Sequence, residues 1–273
     1  RFEITGAKHR ATPYDIKVIT DMSKYDKYEN PEDTSEKLSQ QEIQTLQEMV
    51  GALQYISMAC YNHLQLAVGK IAARLGTATQ DVFKAARRIL EYLYHHRGRG
   101  LKYYKSDMIL KAYTDASYGT ESKFRSRTGG FLYLGRLDDP DFINDPIEVT
   151  STVQKNIVTS AMEAEFVACY ETAIRIAAVR HIANSFGYPQ QAVQIECDNR
   201  GAVGLANKTN SNKKLRHVAM RYYYIQEQVI DQTIDVIWRA GKTNLADPMT
   251  KYLRSTEEYT RSVDTCSSNI IET

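Results

Sequence analysis

The sequence predicts an α/β fold: a five-stranded mixed sheet flanked by helices, preceded by a mainly helical segment. Three observations carry this. Apolar residues keep a helical period from Ser39 to about His96, then give way to strand-like patterns from Met108. Three strand patterns follow one another through short connections, which favours antiparallel pairing. Beyond them strands alternate with helices, which favours parallel neighbours joined by right-handed crossovers.

Residues 1–38 are polar and broken by Pro13 and Pro31, so they read as an irregular leader or linker with a short strand at Asp15–Thr20. Ser39, with Glu42 three residues on, is a capping-box pattern. Ile43, Leu46, Val50, Leu53, Ile56 and Cys60 keep the helical period behind it, and Tyr61–Leu64 interrupts it. Val68 to Leu75 resumes the helix. Another starts after Thr79, with Val82, Phe83, Ala86, Ile89, Leu90 and Leu93 on one face. His95, His96, Arg97 and Arg99 close it, where cations suit the helix dipole or a polyanion backbone. A short strand is expected at Leu101–Tyr104.

Met108–Thr114 is apolar on both alternating faces, as in a central strand, and Asp115 is read as its end. Gly129–Leu134 and Ile147–Gln154 are the next strands, with the acidic loop Asp138–Pro146 between them. Thr159 or Ser160 caps a long helix that Gly187 and Pro189 stop. Val193–Cys197 is a fourth strand and Ile234–Trp238 a fifth, with helices expected at Asn199–Asn207 and Lys213–Asp231 between them. Asn244 or Asp247 opens a last helix. The segments are therefore 1–38 leader, 39–106 helical, 107–255 α/β domain and 256–273 a fraying tail.

Composition excludes some classes. With 42% hydrophobic and 25% charged residues in 273, the chain is that of an ordinary globular protein of one or two domains. Its net charge of +2 does not select a partner, but KFRSR, HHRGRGLK and NKKLRH are local basic clusters. The four cysteines show no C-x-x-C pair, hence neither a zinc pattern nor a disulfide framework. No apolar run approaches the roughly 18 residues of a membrane span. The chain begins at Arg1 and is read as a piece of something longer.

Candidate chemistry lies in four acidic places. Asp115 and Asp198 follow strands that would be parallel neighbours, and so would emerge at one end of the sheet, where open α/β sheets place sites. Glu163 and Glu165 start the crossover helix, and its periodicity does not choose between them. Asp247 precedes Pro248 at the start of the last helix. Taken singly, Asp115 fits a turn former, Asp198 an N-cap and Asp247 a helix cap. Together they would form a hard oxygen donor set suited to Mg²⁺ or Mn²⁺ rather than zinc.

The pieces TDASYGTESKFRSRTGGFLYLG, TSTVQKNIVTSAMEAEFVAC, VQIECDNRGAVGLA, LRHVAMRYYYIQE and TNLADPMTKYL, in that order from Thr114 to Leu253, resemble the ribonuclease H domain of copia-type LTR retrotransposon polyproteins. Thr45–Tyr104, with MVGALQYISMA and FKAARRILEYLYHHRGRGLKYYK, more weakly resembles the connection end of reverse transcriptase that precedes it. The resemblance implies a ribonuclease H-like fold and Asp115, Glu165, Asp198 and Asp247 as catalytic, metal-holding acids. It implies two Mg²⁺ ions, with Mn²⁺ as the substitute, and an RNA/DNA hybrid as substrate. It also implies a reverse-transcriptase polymerase domain of the same polyprotein as partner, no membrane, and a cytoplasmic place in virus-like particles, with the nucleus as the alternative. Ser117, Ser126 and Asn199 are then candidates for the RNA strand, and Lys155, Lys213, Lys214 and Arg216 for phosphates.

The sequence also departs from the family. Arg216-His217-Val218-Ala219 replaces a usual Lys-His-Ile-Asp, and Trp238 to Asp247 contains no histidine, for which Arg239 or Lys242 are candidate substitutes. No Tyr-x-Asp-Asp polymerase motif occurs. Two alternatives to an endonuclease stay open: a nucleic-acid-binding module that does not cut, and a structural part of a larger assembly.

Overall fold

A computed structural model describes residues 6–15, 34–139, 141–207 and 219–269. The chain forms two compact units. One comprises Arg1–Lys102 and Tyr252–Thr273, the other Tyr103–Lys251.

The first unit is helical. Helix α1 (Gln40–Ala59) starts at Ser39, whose N–H donates to Glu42 Oε2 at 2.8 Å and whose hydroxyl accepts the Glu42 N–H, the expected capping box. Leu46, Val50 and Leu53 line its buried face. The period breaks at Tyr61 and a short 3-10 turn, then α2 (Gln65–Ala72) and α3 (Gln80–His95) follow. Val82, Ala86 and Ile89 of α3 close the same core. His63 is buried there against the Tyr92 hydroxyl, 3.3 Å from its Nε2, and burial pushes its imidazole down to about 3, so it is neutral.

Three expectations change in this unit. The part of the expected fraying tail that is described, residues 256–269, is ordered: Ser255 caps helix α7 (Thr256–Cys266), and its Tyr259 and Val263 join the core of α1–α3. Two buried residues four apart suffice for such docking, although they make a weak sequence pattern. The leader is not a free linker where it is described. Arg10 pairs with Glu91 at 2.6 Å, Thr12 is buried, and His96 Nε2 lies 3.0 Å from Arg10 O. The short strand is Arg99–Gly100, paired antiparallel with Ser268–Asn269, rather than Leu101–Tyr104. The strand expected at Asp15–Thr20 lies outside the described residues beyond Asp15.

The second unit has the expected α/β, ribonuclease H-like arrangement. Strands β1 (Ile109–Glu121), β2 (Arg125–Gly135) and β3 (Glu148–Val153) are antiparallel. Helix α4 (Ala161–Ser185) crosses to β4 (Val193–Cys197), parallel to β1. Helices α5 (Arg200–Ala206) and α6 (Ala219–Ile230) precede β5 (Ile234–Trp238), parallel to β4. The sheet order is β3-β2-β1-β4-β5.

Phe166, Cys169, Ala173 and Ile176, recurring every three or four residues, press α4 onto Leu110, Ala112, Leu132 and Ile195 of the sheet. Gly187 ends α4 at φ +84°, a left-handed position that suits glycine. The predicted last helix is only a 3-10 turn, Asp247–Met249, with Pro248 in its first turn, where a missing N–H costs nothing. No described helix is long and apolar enough to cross a membrane.

Candidate active site

Asp115 does not end its strand. It lies inside β1, opposite Gly129 of β2, and β1 runs on to Glu121. What ends there is the other neighbour: the last β1–β4 pair is Tyr113 with Glu196, and β4 stops at Cys197. Asp115 and Asp198 are therefore both placed where the parallel pairing gives out. Asp115 is fully buried.

Gly129 makes room for the third acid. A Cβ at this position would lie 2.7 Å from Ala246 O and 2.7 Å from Thr250 Cγ2. Without one, the segment from Asn244 to Thr250 packs against the sheet beside Asp115. Asn244 anchors it, its Nδ2 donating to Thr114 O at 2.9 Å while its Oδ1 accepts the Ala246 N–H at 3.0 Å. The Thr250 hydroxyl donates to Asp115. Lys251 Nζ donates to Asp115 Oδ1 at 2.9 Å and to Asp247 Oδ1 at 3.1 Å, bridging the two acids.

The two glutamates of α4 separate by environment. Glu163 Oε2 accepts from the Thr159 N–H at 2.7 Å and the Thr159 hydroxyl at 2.9 Å, and its own N–H donates to Ser160 Oγ at 3.2 Å. It is a capping residue of the helix start. Glu165, 6% exposed, faces the acids instead, and its Oε2 has no hydrogen-bond partner. Glu165, Cys197 and Asp198 each offer an atom within 4.8 Å of the other two.

Asp198 is held from several sides. Trp238 Nε1 donates to its backbone carbonyl at 3.0 Å, and the Arg200 guanidinium lies 4.1 Å from the centre of the indole ring. Gly241 approaches so closely that a Cβ there would lie 2.6 Å from Asp198 Oδ2. Asn199 caps α5, accepting from the Ala202 N–H at 3.1 Å.

Burial dominates the electrostatics. It raises the Asp115 carboxyl to about 7, against the opposing pull of Lys251 and with the repulsion of Asp247. It raises Glu165 to about 10, reinforced by Asp115, Cys197 and Asp198. The Lys251 ammonium is lowered by burial, but Asp115 and Asp247 outweigh this and hold it above its ordinary value. Four carboxyl groups so placed are relieved by protons, by Lys251 or by a cation. The oxygen donors and the unpartnered Glu165 Oε2 fit a hard divalent cation.

The expected substrate residues fare differently. Ser117 and Ser126 are buried, the first hydrogen-bonded to Thr120 Oγ1 at 2.7 Å and the second accepting the Gly119 N–H at 3.2 Å. Both hydrogen bonds brace the β1–β2 turn. Lys155 is exposed between β3 and α4. Lys213, Lys214 and Arg216 lie outside the described residues. Arg239 is tied to Glu196 Oε1 at 3.1 Å and Asp141 Oδ1 at 3.0 Å, while Lys242 is exposed.

The acidic loop braces the fold around it. Its Asn144 bonds Tyr104 on both N–H and carbonyl, each at 3.0 Å, and its Asp141 holds Arg239. Sequence reasoning missed Thr250 and Lys251. The only signal for the latter was its place four residues after Asp247.

A mixed sheet in this order, with acids from β1, the crossover helix, the end of β4 and the last turn gathered at one end, defines a ribonuclease H-like unit. Over 75–92% of its length the chain is similar to retrovirus-related Pol polyproteins of transposons. It is 28% identical over 251 residues to the Pol polyprotein from transposon TNT 1-94 of Nicotiana tabacum, covering 92% of this chain and 18% of that one. It is 29% identical over 208 residues to that from transposon RE2 of Arabidopsis thaliana, covering 75% and 14%. The chain thus spans less than a fifth of the length of these curated relatives. A solved ribonuclease H1 isolated from compost by a metagenomic approach aligns with a TM-score of 0.40 at 12% identity, over 57% of this chain and 99% of that one. No family model matches the chain.

Proposed function

We propose that the second unit hydrolyses the RNA strand of RNA/DNA hybrids with divalent cations, as the ribonuclease H of a retrotransposon Pol polyprotein. Glu165 carries this reading: a buried carboxyl with an unpartnered oxygen, set against Asp198 and electrostatically against Asp115, is costly in a purely structural role. Similarity to Pol polyproteins over 251 residues supports the biological setting, with a polymerase domain as partner. The place that goes with this reading is the cytoplasm, in virus-like particles, with the nucleus as the alternative.

Asp115, Glu165, Asp198 and Asp247 would hold two Mg²⁺ ions, or Mn²⁺. Ions bound there supply an activated water and neutralise charge on the scissile phosphate. The chain's own residues must first make room. Glu165 and Asp115 give up their protons. Lys251 leaves Asp115 and Asp247 and becomes free to meet a phosphate. Trp238 holds the Asp198 backbone, and Gly241 leaves room for its carboxylate. Lys155 and Lys242, both exposed, would meet phosphates by charge, and Asn199 directly follows Asp198.

The test is cleavage of a labelled hybrid by the full chain with Mg²⁺ or Mn²⁺, compared with Asp115→Asn. The expected result is cut RNA, intact DNA and loss of cleavage in the variant. Hybrid binding without cleavage at any metal concentration would overturn the reading and favour a binding module.

A further inference from the structure

The acids of the site share it with a sulfur. Cys197 ends β4 and is fully buried, directly before Asp198. Its Sγ, a Glu165 oxygen and an Asp198 oxygen all lie within 4.8 Å of one another. Among the described residues this is the one such group of His, Cys, Asp or Glu atoms. Glu165 supplies the independent sign of a ligand: it is nine-tenths buried, its carboxylate belongs to the group, and its Oε2 has no hydrogen-bond partner.

We propose that Glu165, Cys197 and Asp198 form a binding site for a soft divalent cation, Zn²⁺ or Cd²⁺, in which Cys197 is a thiolate ligand. The inference rests on the metal-holding reading of Glu165 and Asp198, and adds a donor which that reading does not use. Hard cations take oxygen, and a thiolate turns preference toward zinc-like ions. Three protein donors with a fourth position left to water is a common open zinc arrangement. Small side-chain adjustments bring atoms within 4.8 Å of each other to the spacing that bonds of about 2.0–2.3 Å require.

A supporting group stands behind the sulfur. Cys169 of α4 is fully buried in the same cluster as Cys197 and hydrogen-bonds to it. A neighbouring side chain that hydrogen-bonds the sulfur is the outer-shell partner a thiolate ligand needs. Binding is balanced simply: the Cys197 S–H bond breaks, its proton passes to the buffer, and the sulfur–metal bond forms. The soft ion would then occupy two of the four acids and compete with Mg²⁺ or Mn²⁺.

Cd²⁺ titration of the metal-free full chain, followed by the ultraviolet charge-transfer band of a cadmium thiolate, tests this. The band should saturate near one ion per chain. Cys197→Ser should lose it and weaken Cd²⁺ uptake by roughly 10–100-fold or more, while Cys169→Ser keeps it. Mn²⁺ uptake, read by water-proton relaxation, is measured in parallel. If Mn²⁺ binds but no Cd²⁺ band appears, or the band survives Cys197→Ser, this inference falls and the proposed function stands. If neither metal binds, both fall. Should Cys197→Ser not fold, cadmium NMR of the unaltered chain decides: a resonance in the mixed sulfur–oxygen range supports the site and one in the all-oxygen range overturns it.

Discussion

Lys251 Nζ lies 2.9 Å from Asp115 Oδ1, and the same ammonium reaches Asp247 at 3.1 Å. A side chain that sequence reasoning passed over thus occupies the charge-neutralising position between two of the four acids. It stabilises the metal-free site and, by the same contacts, competes with any cation that takes those oxygens. Lys251→Gln should therefore weaken metal-free stability by roughly 1–3 kcal/mol, since it strands a buried acid. It should also tighten Mn²⁺ uptake. Denaturant unfolding in chelator, beside Mn²⁺ titration, reads both effects. Weaker Mn²⁺ binding in the variant would mean that Lys251 is no competitor.

The two glutamates of α4 offer a paired comparison. Glu163→Ala removes the acceptor of two Thr159 hydrogen bonds and should cost about 1–2 kcal/mol. Hybrid cleavage per folded molecule should survive it. Glu165→Gln removes no hydrogen bond of the free Oε2 and should leave stability equal or higher while abolishing cleavage. The reverse pattern would exchange the roles assigned to them.

Gly241→Ala tests the close approach to Asp198. The added methyl would lie 2.6 Å from Asp198 Oδ2, so the carboxylate must swing away. Cleavage should fall by at least about tenfold, equivalent to ~1.4 kcal/mol of lost transition-state stabilisation. The unfolding midpoint should move little, because the glycine is at the rim and its φ is not left-handed. A parallel fall in stability would instead make Gly241 a packing residue.

The raised carboxyls set a pH dependence. Asp115 near 7 and Glu165 near 10 both stand above the ordinary carboxylate value of about 4. Between those limits the folded, metal-free chain holds protons that the unfolded chain has released. Stability due to these groups therefore falls as pH rises, from about 4 to 7 for Asp115 and onward to about 10 for Glu165. Thermal unfolding in chelator should show Glu165→Gln gaining on the unaltered chain as pH rises. Mg²⁺ or Mn²⁺ should narrow that difference, because the ion displaces the proton. A difference independent of pH would rule out the protonated Glu165.

Much of the second unit was legible in the sequence because its signals are local. Apolar strands, the Ser160 start and the Gly187 stop are each written within a few residues. The choice between Glu163 and Glu165 was not legible from periodicity, since both flank the same stripe; the family resemblance named Glu165, and the geometry separates it from its capping neighbour. What stayed hidden depends on contacts between distant residues. The Lys251–Asp115 pair spans 136 positions, and the need for glycine at 129 arises from Ala246 and Thr250. The continuation of β1 past Asp115 was missed because Ser117 and Glu121, which pair with β2 on either side of a register shift, are polar.

The helix after Lys251 has a consequence for how the chain is assembled. Residues 103–251 form one unit, whereas Leu253, Tyr259 and Val263 complete the core begun by Leu46, Val50 and Leu53. The first unit is thus discontinuous, with the second spliced into its chain. During synthesis the first unit is completed only after the second, once the helix after Lys251 has left the ribosome. A truncation drawn at the end of the nuclease-like unit would spare that unit and unseat the helical one that precedes it.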